Sequence, residues 1–134
     1  MAFRILLFSG LVAGLPAAFL AVKASASLRR RRVLGQAPEP GLAQGQPTLV
    51  FFTGEHCSIC KHRQKPAIER LRSELDGALR VVEVDAIEEP GLVKRFNVLS
   101  LPTTVLLAAD GRVGAVNYGF APGEQLRAQV AGLA

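Results

Sequence analysis

The tetrapeptide Cys57-Ser58-Ile59-Cys60 holds both cysteines of the chain, and it stands just after the apolar run Thr48-Leu49-Val50-Phe51-Phe52-Thr53 and the loop Gly54-Glu55-His56. A strand that ends in a short loop and gives way to a helix starting at Cys57 places the two thiols one turn apart on the same helix face. At that spacing the sulfurs can close and reopen a disulfide without refolding the domain. The unpaired N–H groups and positive dipole end of such a helix favour a thiolate at Cys57, which makes it the candidate nucleophile. Cys60, a turn deeper, is the candidate resolving thiol, placed to attack the mixed disulfide formed once Cys57 has captured a substrate sulfur. His56 and Lys61 flank the pair and read first as solvated side chains; neither is given a catalytic role, and His56 is kept as a supporting residue.

Other uses of two cysteines fit less well. A structural zinc site wants four ligands, and no second cysteine pair accompanies Cys57 and Cys60, so no metal site is assigned. Covalent haem attachment needs a histidine directly after Cys60, where Lys61 stands. A permanently closed bridge this short would constrain little of the unfolded chain.

The formal charge of +5 does not belong to the part that carries the cysteines. From Thr48 onward ten Lys+Arg balance ten Asp+Glu, whereas Arg4, Lys23 and Arg29 through Arg32 are offset in the first 47 residues only by Glu39. A nucleic-acid surface would carry its basic excess on the folded part, so none is expected. The arginines instead follow an apolar, uncharged stretch from Ile5 to Val22, close to the roughly 20 residues that cross a bilayer as a helix. Residues 1–27 are accordingly expected to be a transmembrane anchor, and the basic flank after it places the following domain in the cytoplasm. The competing reading is a secretory signal cleaved near Ala24-Ser25-Ala26, with an exported domain. The length of the apolar stretch and the arginines beyond it argue against that.

Residues 28–47 run from the basic flank into a Pro-, Gly- and Gln-rich segment without periodicity, expected to be a tether. Residues 48–134 then suffice for one domain. Within it, Ile68, Leu71 and Leu75 keep helical spacing, with Pro66 expected to kink that helix. Arg80 to Asp85 reads as a strand, Pro90 to Phe96 as a short helix and Thr103 to Ala108 as a second apolar strand. Asp110-Gly111 is the turn of a hairpin leading into Val113 through Tyr118. Pro122 suits the first position of a last helix whose stripe is Leu126, Val130 and Leu133. The order is β-α-β-α-β-β-α, an α/β domain.

On the Cys-x-x-Cys that opens a helix after the first strand, on Leu101-Pro102-Thr103 just before the hairpin and on the element order, residues 48 to 134 resemble the thioredoxin family. The resemblance implies a thioredoxin-like fold with a central mixed sheet flanked by helices. It also implies a cis peptide bond before Pro102, close to the active-site sulfurs, and a backbone at Leu101 that a substrate segment pairs with. Ile59 and His56 would border the same surface. The chain departs from the family pattern at Phe51, which stands where members commonly carry a buried Asp that helps deprotonate the resolving thiol. The Lys that usually partners this Asp would fall near Val81, so both members of the pair would be apolar together.

The function these readings point to is a membrane-anchored thiol:disulfide oxidoreductase acting on protein disulfides. No bound cofactor is implied. Its electrons would come from a separate reductase in the cytoplasm, or from a membrane electron carrier if the domain faces outward. The alternative is a non-catalytic module presenting the surface around Ile59 and Leu101 to a membrane partner.

Overall fold

A computed structural model describes residues 2–133; it describes no side chain at positions 2–4, 6–9, 11, 13 and 40. The chain divides into two compact units, Met1–Arg32 and Val33–Ala134. Helix α1 (Ala2–Leu34) makes up the first unit as far as Arg32 and carries Pro16 in its interior, while its last two residues, Val33 and Leu34, belong to the second unit. The apolar stretch from Ile5 to Val22, the expected membrane anchor, lies in part outside the described side chains. Among the described residues no helix is long and apolar enough to cross a membrane.

The second unit is built on four strands: β1 (Thr48–Thr53), β2 (Arg80–Asp85), β3 (Thr103–Leu107) and β4 (Val113–Tyr118), in the order β2-β1-β3-β4. β1 pairs in parallel with β2 and antiparallel with β3, and β3 pairs antiparallel with β4. This is the mixed sheet flanked by helices that the resemblance implied. The apolar run of β1 is explained by its place between two neighbours with both faces covered. Val50 and Phe52 face one core layer with Val84, Phe96, Val105 and Val116. Leu49 and Phe51 face the other with Cys60, Ile68, Leu71, Leu106 and Leu126. Burial of this kind stabilises by about 1.5–3 kcal/mol per large apolar side chain.

The helices are α2 (Pro40–Ala43), α3 (Lys65–Glu74), α4 (Pro90–Arg95) and α5 (Gly123–Ala131). Pro66 is the second residue of α3, inside a helical segment that runs without a break from Ser58 to Glu74, so its missing N–H has to be accommodated there. The adjustment falls just upstream. Residues Cys60–Gln64 form a π-helical turn in which the Lys65 N–H donates to the Cys60 carbonyl five residues back. Proline cannot donate to the carbonyl four residues before it and crowds it sterically, and the wider turn relieves both. Pro122 likewise sits one residue outside α5, in extended conformation at the N-cap.

Residues 33–47, whose composition reads as a tether, are fastened to the domain. Val33 and Ala43 are fully buried in the core layer that contains Phe52, and Leu34 and Leu42 pack against it. The Glu39 N–H donates to the Gly111 carbonyl at 2.9 Å, Glu39 forms an ion pair with Arg95 at 2.9 Å, and Arg95 also donates to the Ala37 carbonyl at 3.0 Å. The Arg80 guanidinium donates to the Leu42 carbonyl. Composition hid this because the anchoring residues are single and far apart, with Gly and Pro between them.

Candidate active site

The loop after β1 turns sharply, with the Cys57 N–H donating to the Gly54 carbonyl at 3.1 Å, and delivers Cys57 to the start of the helical segment. Cys57 stands one residue before the first helical position rather than on it. There its Sγ accepts the Cys60 N–H at 3.2 Å, the bond an N-cap side chain makes. A sulfur carrying negative charge gains most from such a donor, so the local fold favours a thiolate at Cys57 whenever the pair is reduced. The two cysteines form a disulfide, with their Cα atoms 5.3 Å apart. Their environments differ: Cys57 is partly exposed, whereas Cys60 has no accessible surface and packs with Phe51, Leu49 and Ile68.

Cys57 opens onto a groove of about 470 Å³ that brings together His56, Ile87, Leu99 and Leu101. Leu99 and Ile87 are 71% and 79% exposed, so large apolar side chains line a wall open to solvent. Ile59, 47% exposed, adds to the apolar surface of the cysteine segment. The Leu101–Pro102 peptide bond is cis, as the resemblance implied, and Pro102 is buried. The loop holding it is pinned by Thr103, whose hydroxyl donates to the Ser100 carbonyl at 2.8 Å, and by the Gly119 N–H, which donates to the Pro102 carbonyl at 2.8 Å. The same loop comes close to Gly54: a Cβ there would stand 2.9 Å from Leu101 Cδ1, so the leucine side chain would have to turn aside.

Two site residues were missed from sequence. Gln64 is fully buried and clasps the backbone of Ala121, donating from Nε2 to its carbonyl at 3.0 Å and accepting its N–H at Oε1 at 2.8 Å. Beside it, the Arg63 guanidinium lies 4.2 Å from the centroid of the Phe120 ring. The segment carrying the cysteines is thus tied to the loop between β4 and α5. The available signal was a glutamine in line with Cys60, Ile68 and Leu71 on an otherwise apolar helix face.

The second is Glu83, and it corrects the expectation for Val81. In the parallel register Val81 lies opposite Leu49, and the residue opposite Phe51 is Glu83. That position is therefore charged, not apolar. Glu83 pairs with Lys65 of α3, Nζ to Oε2 at 3.2 Å, with both side chains about half exposed.

A buried thiol disulfide-linked to a partly exposed one, at a helix start beside an apolar groove, is the site of a thiol:disulfide oxidoreductase. The thioredoxin family model matches residues 39–131. A thioredoxin of Staphylococcus saprophyticus is 32% identical over 83 residues, covering 62% of this chain and 78% of that protein. The thioredoxin of Bacillus subtilis is 33% identical over 79 residues, covering 59% of this chain and 74% of that one. Among solved structures, the crystal structure of chloroplastic thioredoxin z superposes with a TM-score of 0.61 at 26% identity, over 69% of this chain and 83% of that chain. The chain belongs to the thioredoxin family.

Proposed function

We propose that this oxidoreductase is held at a membrane by the apolar segment from Ile5 to Val22 and exchanges its dithiol with disulfides of protein substrates through a mixed disulfide at Cys57. The observation that carries the exchange is the asymmetry of the pair, one sulfur open to the groove and the other without accessible surface. The Cys57 thiolate attacks a substrate disulfide, one substrate sulfur leaves as a thiolate, and Cys60 then attacks Cys57 Sγ to release the other. The apolar groove beside Cys57 suits an extended protein segment with apolar side chains better than a small charged disulfide. His56, Ile59 and the Leu101 backbone are its supporting surface.

The anchor is supported by the uncharged stretch itself, and a cytoplasmic domain by the charges around it, five basic residues after the span against Arg4 before it. A separate reductase is then the source of electrons; an outward-facing domain would draw on a membrane electron carrier instead. The test of exchange uses the full chain with Cys60→Ser, which should accumulate a mixed disulfide with a disulfide-bonded protein such as insulin, while Cys57→Ser should accumulate none. Equal trapping by the two variants, or by neither, would refute it. For the anchor, the full chain should sediment with membranes after alkaline extraction, and a C-terminal reporter active only outside the membrane should stay dark.

A further inference from the structure

Resolution of the mixed disulfide needs a Cys60 thiolate, and the surroundings of Cys60 oppose one. It belongs to a buried cluster with Phe51 and Leu49 of the sheet and Ile68 and Leu71 of α3, none of which can take a proton. Cys60 is also in the wall of a cavity of about 190 Å³, open to solvent and large enough for several waters. The charged groups that line this cavity are Glu55, Lys61, Lys65, Glu83 and Asp85. Asp85 is engaged, its Oδ1 accepting the N–H groups of Ile87 and Glu88 at 2.8 and 3.3 Å. Glu55 sits on the exposed turn before Cys57. Glu83 is held on two sides, by its position on β2 opposite Phe51 and by Lys65 at 3.2 Å.

We propose that Glu83 takes the proton of Cys60 through water in this cavity, and that Lys65 orients its carboxylate for the transfer. The inference rests on the dithiol exchange proposed above. In the resolving step the Cys60 thiol loses its proton through water to Glu83, and the Cys60 thiolate attacks Cys57 Sγ. The Cys57–Cys60 bond forms as the bond from Cys57 to the substrate sulfur breaks. The electron pair of that bond leaves on the substrate sulfur, which takes a proton from solvent. Glu83, half exposed, returns its own proton to solvent, so no oxidant or reductant beyond the substrate disulfide is needed. Lys61 and Lys65 add positive charge beside the cavity, which favours the thiolate as it forms. Protonation works in the opposite sense when the disulfide is reopened, since Cys60 is then the leaving sulfur.

The experiment mixes the reduced full chain with an aromatic disulfide whose thiol product is coloured and follows release by stopped flow. The wild-type chain should release colour in two phases, one for capture by Cys57 and one for resolution by Cys60. Glu83→Gln should leave the first phase unchanged and slow the second about a hundredfold, with a rate that now rises with hydroxide concentration. Glu83→Asp should recover much of that loss, and Glu69→Gln on the outer face of α3 should recover the wild-type trace. A second phase in Glu83→Gln as fast as wild type, or equal slowing of both phases, would overturn the proposal. Should Glu83→Gln fail to fold, Lys65→Met must slow the second phase alone, and an unaltered second phase there would overturn it equally. A wild-type trace with a single phase and one equivalent of colour would sink the dithiol reading itself, and is distinguishable from the others because it needs no variant.

Discussion

Replacing Gln64 with methionine keeps the length of the side chain but removes both of its bonds to Ala121. Ala121 is fully buried, so its N–H and carbonyl would be left without partners in an apolar surrounding. Each stranded backbone group costs about 1–3 kcal/mol, and because methionine recovers packing, the net loss should be about 3 kcal/mol. For a domain of this size that corresponds to a fall in melting temperature of about 15 °C. In urea the midpoint should drop by about 2 M. The assay is urea unfolding of the full chain followed by far-ultraviolet circular dichroism, with the disulfide intact. Gln64→Glu supplies an internal control on the reasoning. Its protonated form can still donate to the Ala121 carbonyl, whereas its carboxylate would face that carbonyl oxygen with like charge. The folded state then binds the proton more tightly than the unfolded one. Stability relative to wild type is therefore nearly intact below the usual carboxylate range and falls as pH rises through and above it. A Gln64→Met variant within about 0.5 kcal/mol of wild type, a spread typical of unimportant surface changes, would refute the clasp. So would a Gln64→Glu variant whose deficit does not change with pH.

Three further outcomes are expected. A fragment starting at Val33 should be more stable than one starting at Thr48, by about 2 kcal/mol or more, because the shorter one loses the buried Val33 and Ala43; equal urea midpoints would contradict the packing of residues 33–47. Phe51→Ala should destabilise by about 3–5 kcal/mol through the cavity left beneath Cys60, measured as above, whereas Lys65→Met should shift stability by less than about 1 kcal/mol because its ion pair is half exposed. Equilibration of the full chain with glutathione buffers and counting of free thiols should place the Cys57–Cys60 couple near the roughly −270 mV of a reductant if the domain faces the cytoplasm; a value of about −180 mV or above would favour an outward-facing domain.

Much of the site was legible along the chain because it is built from short-range patterns. Cys57 and Cys60 are three residues apart, so a helical turn brings them together, and their unequal burial follows from one facing the groove and the other the core. The doubly apolar β1, the hairpin turn at Asp110-Gly111 and the stripe containing Ile68 and Leu71 announce themselves by period and turn chemistry. Phe51 in the line of the first strand was equally visible. Its neighbour was not, because which residue of β2 lies opposite it depends on the register of a parallel pair, set by how the intervening helix packs rather than by the turn that sets a hairpin. A slip of two residues keeps every apolar side chain on its proper face, which is why Val81 and Glu83 could not be told apart by pattern.

The dithiol, the element order and the interior place of β1 follow from local spacing and from the cost of leaving apolar side chains in water, so they can be read along the chain. Packing across the whole domain is what sets Gln64 against Ala121 across 57 residues, brings Val33 and Ala43 into the core, and puts Glu83 and Lys65 in the wall of a cavity that Cys60 also lines. These are single contacts between distant residues. A lone contact leaves no periodic trace, and a buried polar group is satisfied by whichever partner the packing of the whole domain brings within reach.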